Sequence, residues 1–270
     1  MSQLVNVRVW GDWACFTRPE MKVERVSYSV ITPSAARGIM EAIFWEPQMY
    51  YLIDSIRVIK RGLWVSFRRN EVTEIISLRN AGEWMTGAKK ISLIQAGGGA
   101  PDGTQRNMLA LESVEYIISA EVRLTELGKR TKQPLAKYQG EVLQRVKRGK
   151  CFHRPYLGVR EFAADFEWEE DAQGALERRQ KELGINQWNE ELGIMLYDVF
   201  DPLERIEGFR WLTEEEKKIS QQKPKKQKKD IKDQIEGNLN SPNLTFFRAK
   251  LNNSLLDCHP DRVTIIRHKT

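Results

Sequence analysis

Residues 32–47 read TPSAARGIMEAIFWEP. Thr32 stands where a helix N-cap would accept a hydrogen bond from the first turn. Pro33 suits the first helical position, where its missing N–H is not needed. Ala36, Ile39, Met40 and Ile43 fall on one helical face, and Pro47 closes the segment. The spacing predicts a helix, and its flanks predict strands. LVNVRVWG at 4–11 alternates and ends on Gly; YYLIDSIRVIKR at 50–61 and LWVSFRRNEV at 63–72 follow. Segment 106–125, RNMLALESVEYIISAEVRLT, predicts two strands meeting near Glu112 and Ser113. A second helix is expected over 135–148, from apolar Leu135, Val142, Leu143 and Val146, with Gly149 as its C-cap despite Gly140. CFHRPYLGVREF at 151–162 then predicts a turn and a strand.

This succession contains the β-α-β-β-α-β order of the ferredoxin-like split motif. The expected class is α+β: a ferredoxin-like domain over 1–165, then a smaller β-rich part over 166–270. Within the second part, 171–184 looks helical, and 193–201, 244–253 and 261–268 look like strands. A Lys-rich insertion is expected at about 214–240. The glycines at 97–99 lack the GK[ST] ending of a phosphate-binding loop and suggest a hairpin tip.

Charge is distributed unevenly. The chain of 270 residues carries a formal net charge of +6, with 41% hydrophobic and 30% charged residues. Segment 217–232 has eight Lys against one Asp, which reads as a solvated loop. Segment 123–154 is net +8 but interleaved with apolar residues, so it should fold. Segment 161–191 swings to net −7. A folded basic block beside aromatics is the footprint of a phosphate-backbone binder. No apolar run is long enough for a membrane helix, and the N-terminus does not read as a secretory signal. Cys15, Cys151 and Cys258 are odd in number and far apart, and His153, His259 and His268 are scattered. Neither a disulfide framework nor a structural metal is expected, and a reduced cytoplasmic setting fits.

Four stretches in order carry a resemblance: GDWACFTRPEMKVERVSYSVITPSAARGIMEAIFW (11–45), RRNEV (68–72), QRNMLAL (105–111) and CFHRPYLGVREF (151–162). Together they resemble CRISPR-associated protein family five, subtype I-C, also called the Dvulg subtype. The match covers roughly the first 165 residues, with pieces such as GIMLYDVFD beyond. The resemblance implies a ferredoxin-like, RNA-recognition-type domain and a role in antiviral defense. It implies a metal-independent endoribonuclease, without cofactor, that cuts precursor CRISPR RNA at the repeat hairpin. The protein would then hold the 5′ handle in the interference (Cascade) complex. Expected neighbours are the backbone subunit (family seven) and the large subunit (family eight), with target DNA an open further partner and no membrane. The alternative is a non-catalytic, handle-binding subunit of the same complex.

The family's usual catalytic trio is a Tyr ending the first helix and a Lys-His pair opening the second. Carried over position by position, the Lys is Lys137, the His position holds Tyr138, and the first-helix Tyr position holds Phe44. Phe44 has no proton to exchange, and an unperturbed Tyr titrates near 10, about three units above neutrality. Lys137 would clamp phosphate and Tyr138 would donate a hydrogen bond. Tyr28, Tyr50, Tyr51 and His153 are nearby substitutes. His153 either replaces a catalytic group or caps its turn and touches backbone. Phe44 and Trp45 would stack on a base or pack in the core. Arg68, Arg69, Arg106, Asn107, Arg145, Lys147, Arg148 and Arg154 are the expected RNA contacts, against a solvated hairpin and helix face.

Overall fold

One long strand organises the molecule. The computed structural model describes residues 4–91, 93–97, 99–132, 134–201, 210–211, 235–236 and 244–267. The elements run β1 (Leu4–Ala14), β2 (Arg25–Val26), α1 (Pro33–Ile43), β3 (Met49–Lys60), β4 (Leu63–Val72), α2 (Leu78–Met85), β5 (Gly103–Leu124), α3 (Glu126–Arg130) and α4 (Leu135–Lys147). They continue with β6 (Asp165–Trp168), α5 (Ala172–Leu183), β7 (Glu190–Asp198), β8 (Arg210–Trp211), β9 (Ile235–Glu236), β10 (Thr245–Asn252), β11 (Leu255–Asp257) and β12 (Ile265–Arg267). The expected insertion at about 214–240 and His268 lie outside the described residues, save β9.

Four strands stand in the order β3-β5-β1-β6, with every neighbouring pair antiparallel. That is the ferredoxin-like order. Both helices of the motif, α1 and α4, pack on one face of it: Ala36, Ile39, Met40 and Ile43 join Tyr138, Val142 and Val146 over Val5, Val7, Val9 and Ile118. The far face is covered by α5, whose Ala172, Ala175 and Leu176 meet Ile59 and Ile117. At the other edge β11 pairs with β3, so strands from the C-terminal part continue the same sheet through β10, which carries β7 and β12. The protein is α+β with a large antiparallel sheet.

Segment 103–124 is one strand of 22 residues, not the expected two. At Ser113 it bends, with φ of 58°, and changes partner on one side. Residues before the bend pair with β4 and those after it with β3. The turn between β3 and β4 is pressed against this bend. Gly62 has φ of +83°, and a Cβ there would come within 2.6 Å of the Glu112 carbonyl. Lys60 Nζ donates to Ser113 Oγ at 2.6 Å. The ladder to β1 skips only the Asp12–Ser113 pair and keeps its register on both sides, Gly11 opposite Val114 and Trp13 opposite Glu112, so the chain bends without breaking.

α1 begins as expected, with Thr32 Oγ1 accepting from the Ala35 N–H at 3.2 Å. It ends at Ile43, four residues before Pro47, because Phe44 turns extended. The Phe44 N–H still donates to Met40, and its carbonyl accepts from the Tyr51 hydroxyl at 2.8 Å. The strand expected in 151–162 does not form: among the described residues a bridge from Tyr156 to Ala163 is its only pairing, and β6 starts at Asp165. β2, α2, α3, β6, β8, β9 and β11 are elements the sequence pattern does not predict. Each is short, and too few apolar residues recur in any of them to betray a period.

Candidate RNA-binding and cleavage site

The loop 151–162 is a compact plug. Phe152 and His153 donate their backbone N–H groups to the Ala42 carbonyl at 3.0 and 2.9 Å, capping the open end of α1. Leu157, fully buried, is held by its N–H to Phe162 O at 2.8 Å, and its carbonyl accepts from Cys15 N at 3.0 Å. Gly158 has φ of +88°, and a Cβ there would lie 2.1 Å from the Cys15 carbonyl. Only glycine lets the loop lie this close to β1. Phe162 completes an aromatic triad with Trp13 and Phe67, at centroid separations of 6.4 and 6.0 Å. The loop therefore ties β1, β4 and α1 together, and it turns Phe152, His153 and Arg154 outward to solvent. Phe152 is 75% exposed and stands edge-on to the His153 ring at 4.6 Å.

The three positions of the carried-over trio part company. Lys137 is exposed on the first turn of α4, its Nζ 5.7 Å from the Tyr138 ring centre. Tyr138 is 1% exposed and belongs to the core. Burial, and then the charge of Glu46, push its hydroxyl further above its ordinary value of 10. Phe44 is buried as well, under the Arg145 guanidinium at 5.1 Å. Trp45, beside it, is 39% exposed. Tyr28, Tyr50 and Tyr51 are all buried; Tyr28 and Tyr51 are pushed up in pKa, mainly by desolvation. Among the residues weighed for proton transfer, His153 alone has an exposed side chain. No hydrogen bond or ring contact joins it to Lys137 among the described residues.

The basic block meets the acidic segment that follows it. Lys147 reaches Glu170 at 2.8 Å and lies over the Trp168 ring, and Arg154 reaches Asp165 at 3.4 Å. Arg145 approaches Glu141 at 3.9 Å. These pairs are largely exposed, so water screens them, each contributes little to stability, and each can be exchanged for a phosphate. Lys137, Arg148 and Lys150 have no ion-pair partner among the described residues.

A second group collects on the arm formed by β4 and the first half of β5. Arg68 stands opposite Asn107 and Arg69 opposite Arg106. Pleating puts Arg69 and Arg106 on the face of Phe67, and Arg68 and Asn107 on the other, exposed face. Arg69 pairs with Glu71 at 2.7 Å, and Arg106 lies 3.7 Å from Glu24, which also accepts from the Asn107 backbone N–H. The register thus brings together two adjacent pairs of expected contacts, 68–69 and 106–107, from distant parts of the chain.

One feature went unnoticed in the sequence. His153 and Arg154 line a cleft of about 830 Å³ whose opposite wall is the outer side of α1. Arg37, Glu41 and Arg160 also line it, and none belongs to a motif whose pattern would have signalled the cleft. Arg37 is held by Asp198 at 2.7 and 2.8 Å and by Glu41 at 2.6 Å, with its pKa raised. Burial opposes that rise, and the two carboxylates outweigh it.

The family profile described as CRISPR-associated protein (Cas_Cas5) matches residues 4–259. A protein of Mannheimia succiniciproducens named CRISPR pre-crRNA endoribonuclease Cas5d is 39% identical over 202 residues, which span 74% of this chain and 86% of that one. A Thermus thermophilus protein of the same name is 43% identical over 162 residues, 60% of this chain and 62% of the relative. A solved structure described as a CRISPR-associated protein has the same fold, with a TM-score of 0.52 at 18% identity over 95% of this chain and 91% of its own.

Proposed function

The chain belongs to the Cas5d family of CRISPR-associated proteins, and from that premise we propose that it is a pre-crRNA endoribonuclease that then keeps hold of its product. The observation that carries this reading is the pair of relatives, 39% and 43% identical, that both bear that name. The product would be held by its 5′ handle in an interference complex, with the family-seven backbone and family-eight large subunits as neighbours, in the cytoplasm.

The chemistry fits groups present on this surface. The 2′-hydroxyl attacks the adjacent phosphorus while the bond from phosphorus to the 5′-oxygen breaks. A base takes the hydroxyl proton, an acid protonates the leaving oxygen, and a cation steadies the doubly charged phosphorane. The products are a 2′,3′-cyclic phosphate and a 5′-hydroxyl. Lys137, exposed and without an acidic partner among the described residues, is the cation. His153 is the exposed imidazole among the groups weighed for proton transfer, and it takes the proton-transfer role. Arg145, Lys147, Arg148 and Arg154 face the strand from α4 and its loop. The arm offers Arg68 and Asn107 on its exposed face and Arg69 and Arg106 on the other, and Trp45 offers a ring.

A second reading, binding without cleavage, is favoured by one observation: the two positions expected to carry protons are a buried Phe44 and a buried Tyr138. One assay separates the two. Purified protein is incubated with its own repeat RNA in EDTA. Discrete cleavage at the 3′ base of the hairpin, lost in Lys137→Ala, is the expected outcome; tight binding with intact RNA would leave the binding subunit.

A further inference from the structure

We infer that the cleft between α1 and the 151–160 loop is a seat for single-stranded RNA, with Gly38 as its floor; the inference rests on the RNA-processing reading above. Gly38 is the starting point. It lies in the middle of α1, where glycine is the poorest residue short of proline. The fold does not require it. A Cβ at Gly38 would meet nothing within 4 Å, whereas one at Gly11, Gly128 or Gly158 would strike a neighbour. The φ of Gly38 is also not in the left-handed region. Yet Gly38 lines the cleft. A missing side chain that neither packing nor backbone geometry demands leaves the helix backbone bare where a ligand could lie against it.

The walls say what kind of ligand fits. The volume, about 830 Å³, suits a small number of nucleotides rather than a folded partner. The loop wall carries Arg154, Arg160 and His153. Arg160 is exposed and has no ion-pair partner among the described residues; Arg154 has only the loose, exposed pair with Asp165. The α1 wall offers no free cation, because Arg37 is bound by both Glu41 and Asp198, a group of net charge −1. Phosphate therefore belongs against the loop wall. Phe152, exposed and edge-on to the ring of the lining residue His153, presents a ring for an unpaired base. Cations tracking a backbone with an exposed ring beside them are how single strands are gripped without a duplex. A volume of about 830 Å³ takes a few nucleotides and not a duplex, so the occupant is an unpaired stretch beside the repeat hairpin.

The test uses the full chain in a Lys137→Ala background, so that RNA stays intact, and measures affinity for the repeat RNA by fluorescence anisotropy across a salt series. Gly38→Gln fills the floor without touching the core. It is expected to melt no lower than its parent and to bind at least about tenfold more weakly. Arg160→Gln is expected to flatten the slope of log affinity against log salt by about 0.7, the value for one phosphate on a single strand. If both variants bind as the parent does, the cleft is not the seat, and that holds even if they fail to assemble with protein subunits, which would make it a protein-docking site. Should Gly38→Gln not fold, Arg160→Gln decides alone. A parent that does not bind repeat RNA at all would instead sink the proposed function, and the seat with it.

Discussion

Lys137 and Tyr138 are neighbours in sequence but face different surroundings. Successive helical residues point about 100° apart, so one side chain enters solvent and the other enters the layer between α4 and the sheet. The phenol's pKa is driven up by burial and by Glu46, away from the range where it could take a proton near neutrality. Tyr138→Phe is accordingly expected to cleave within about threefold of the parent in single-turnover assays. A loss of about 10²-fold or more would mark the hydroxyl as a proton carrier. Tyr138→Ala, by contrast, should cost about 3–5 kcal/mol in urea unfolding, because it empties a filled site in the core.

Among the elements, the 151–162 loop does more than either helix to shape the surface. Its backbone caps α1, Leu157 plugs the space above β1, and Phe162 closes the triad with Trp13 and Phe67. Gly158 is where the arrangement depends on a single atom. In Gly158→Ala the left-handed φ alone should destabilise by at least about 1 kcal/mol, and the clash with Cys15 O adds to that. The expected outcome is a lowered melting temperature together with faster labelling of Cys15, which is now fully buried with its thiol pushed up by desolvation. Unchanged Cys15 labelling would show that the loop does not seal β1.

Across the molecule, the two faces of the sheet are held by different forces. The α1 and α4 face is an apolar core. The α5 face has only the small apolar cluster around Leu176 and adds ions to it: Arg179 donates to Glu115 at 2.9 and 3.0 Å, and Arg8 bridges Glu115 at 2.6 Å and Glu167. Burial pushes the Glu115 carboxyl up, but the hydrogen bonds from Arg179 and Arg8 draw it further down, so its folded value lies below the usual one. The sign follows from linkage. The ionised carboxylate contributes stability above its unfolded value, about 4.3, and that contribution is lost as pH falls through the lower folded value. Denaturation free energy should therefore fall in acid below about pH 4.5. Glu115→Gln should lower stability at pH 7 by about 1–3 kcal/mol and flatten the acid limb; an acid limb as steep as the parent's would locate the acid sensitivity elsewhere.

How much of this could be read along the chain follows from the range of each interaction. The cap at Thr32, the apolar face of α1, the period of α4 and the alternation of β1 and β4 depend on neighbours a few residues away, and all appear where the pattern put them. The ferredoxin-like order follows from their succession. Segment 106–125 reads as two strands and the chain does bend at Ser113; only the unshifted register to β1 across that bend makes it one. Charge was the least legible. A block of net +8 is visible in the letters, but which of its cations stay free depends on acids that folding brings near, such as Glu170 at Lys147. The cleft beside α1 depends on still longer reach: Arg37 and Asp198 meet across 161 positions, and residues near 153 close on a helix that ended at Ile43. Short-range order is written in periodicity. The pairing of charges and the shape of a cavity come from segments that meet only once the apolar faces have been buried, so no local pattern could carry them.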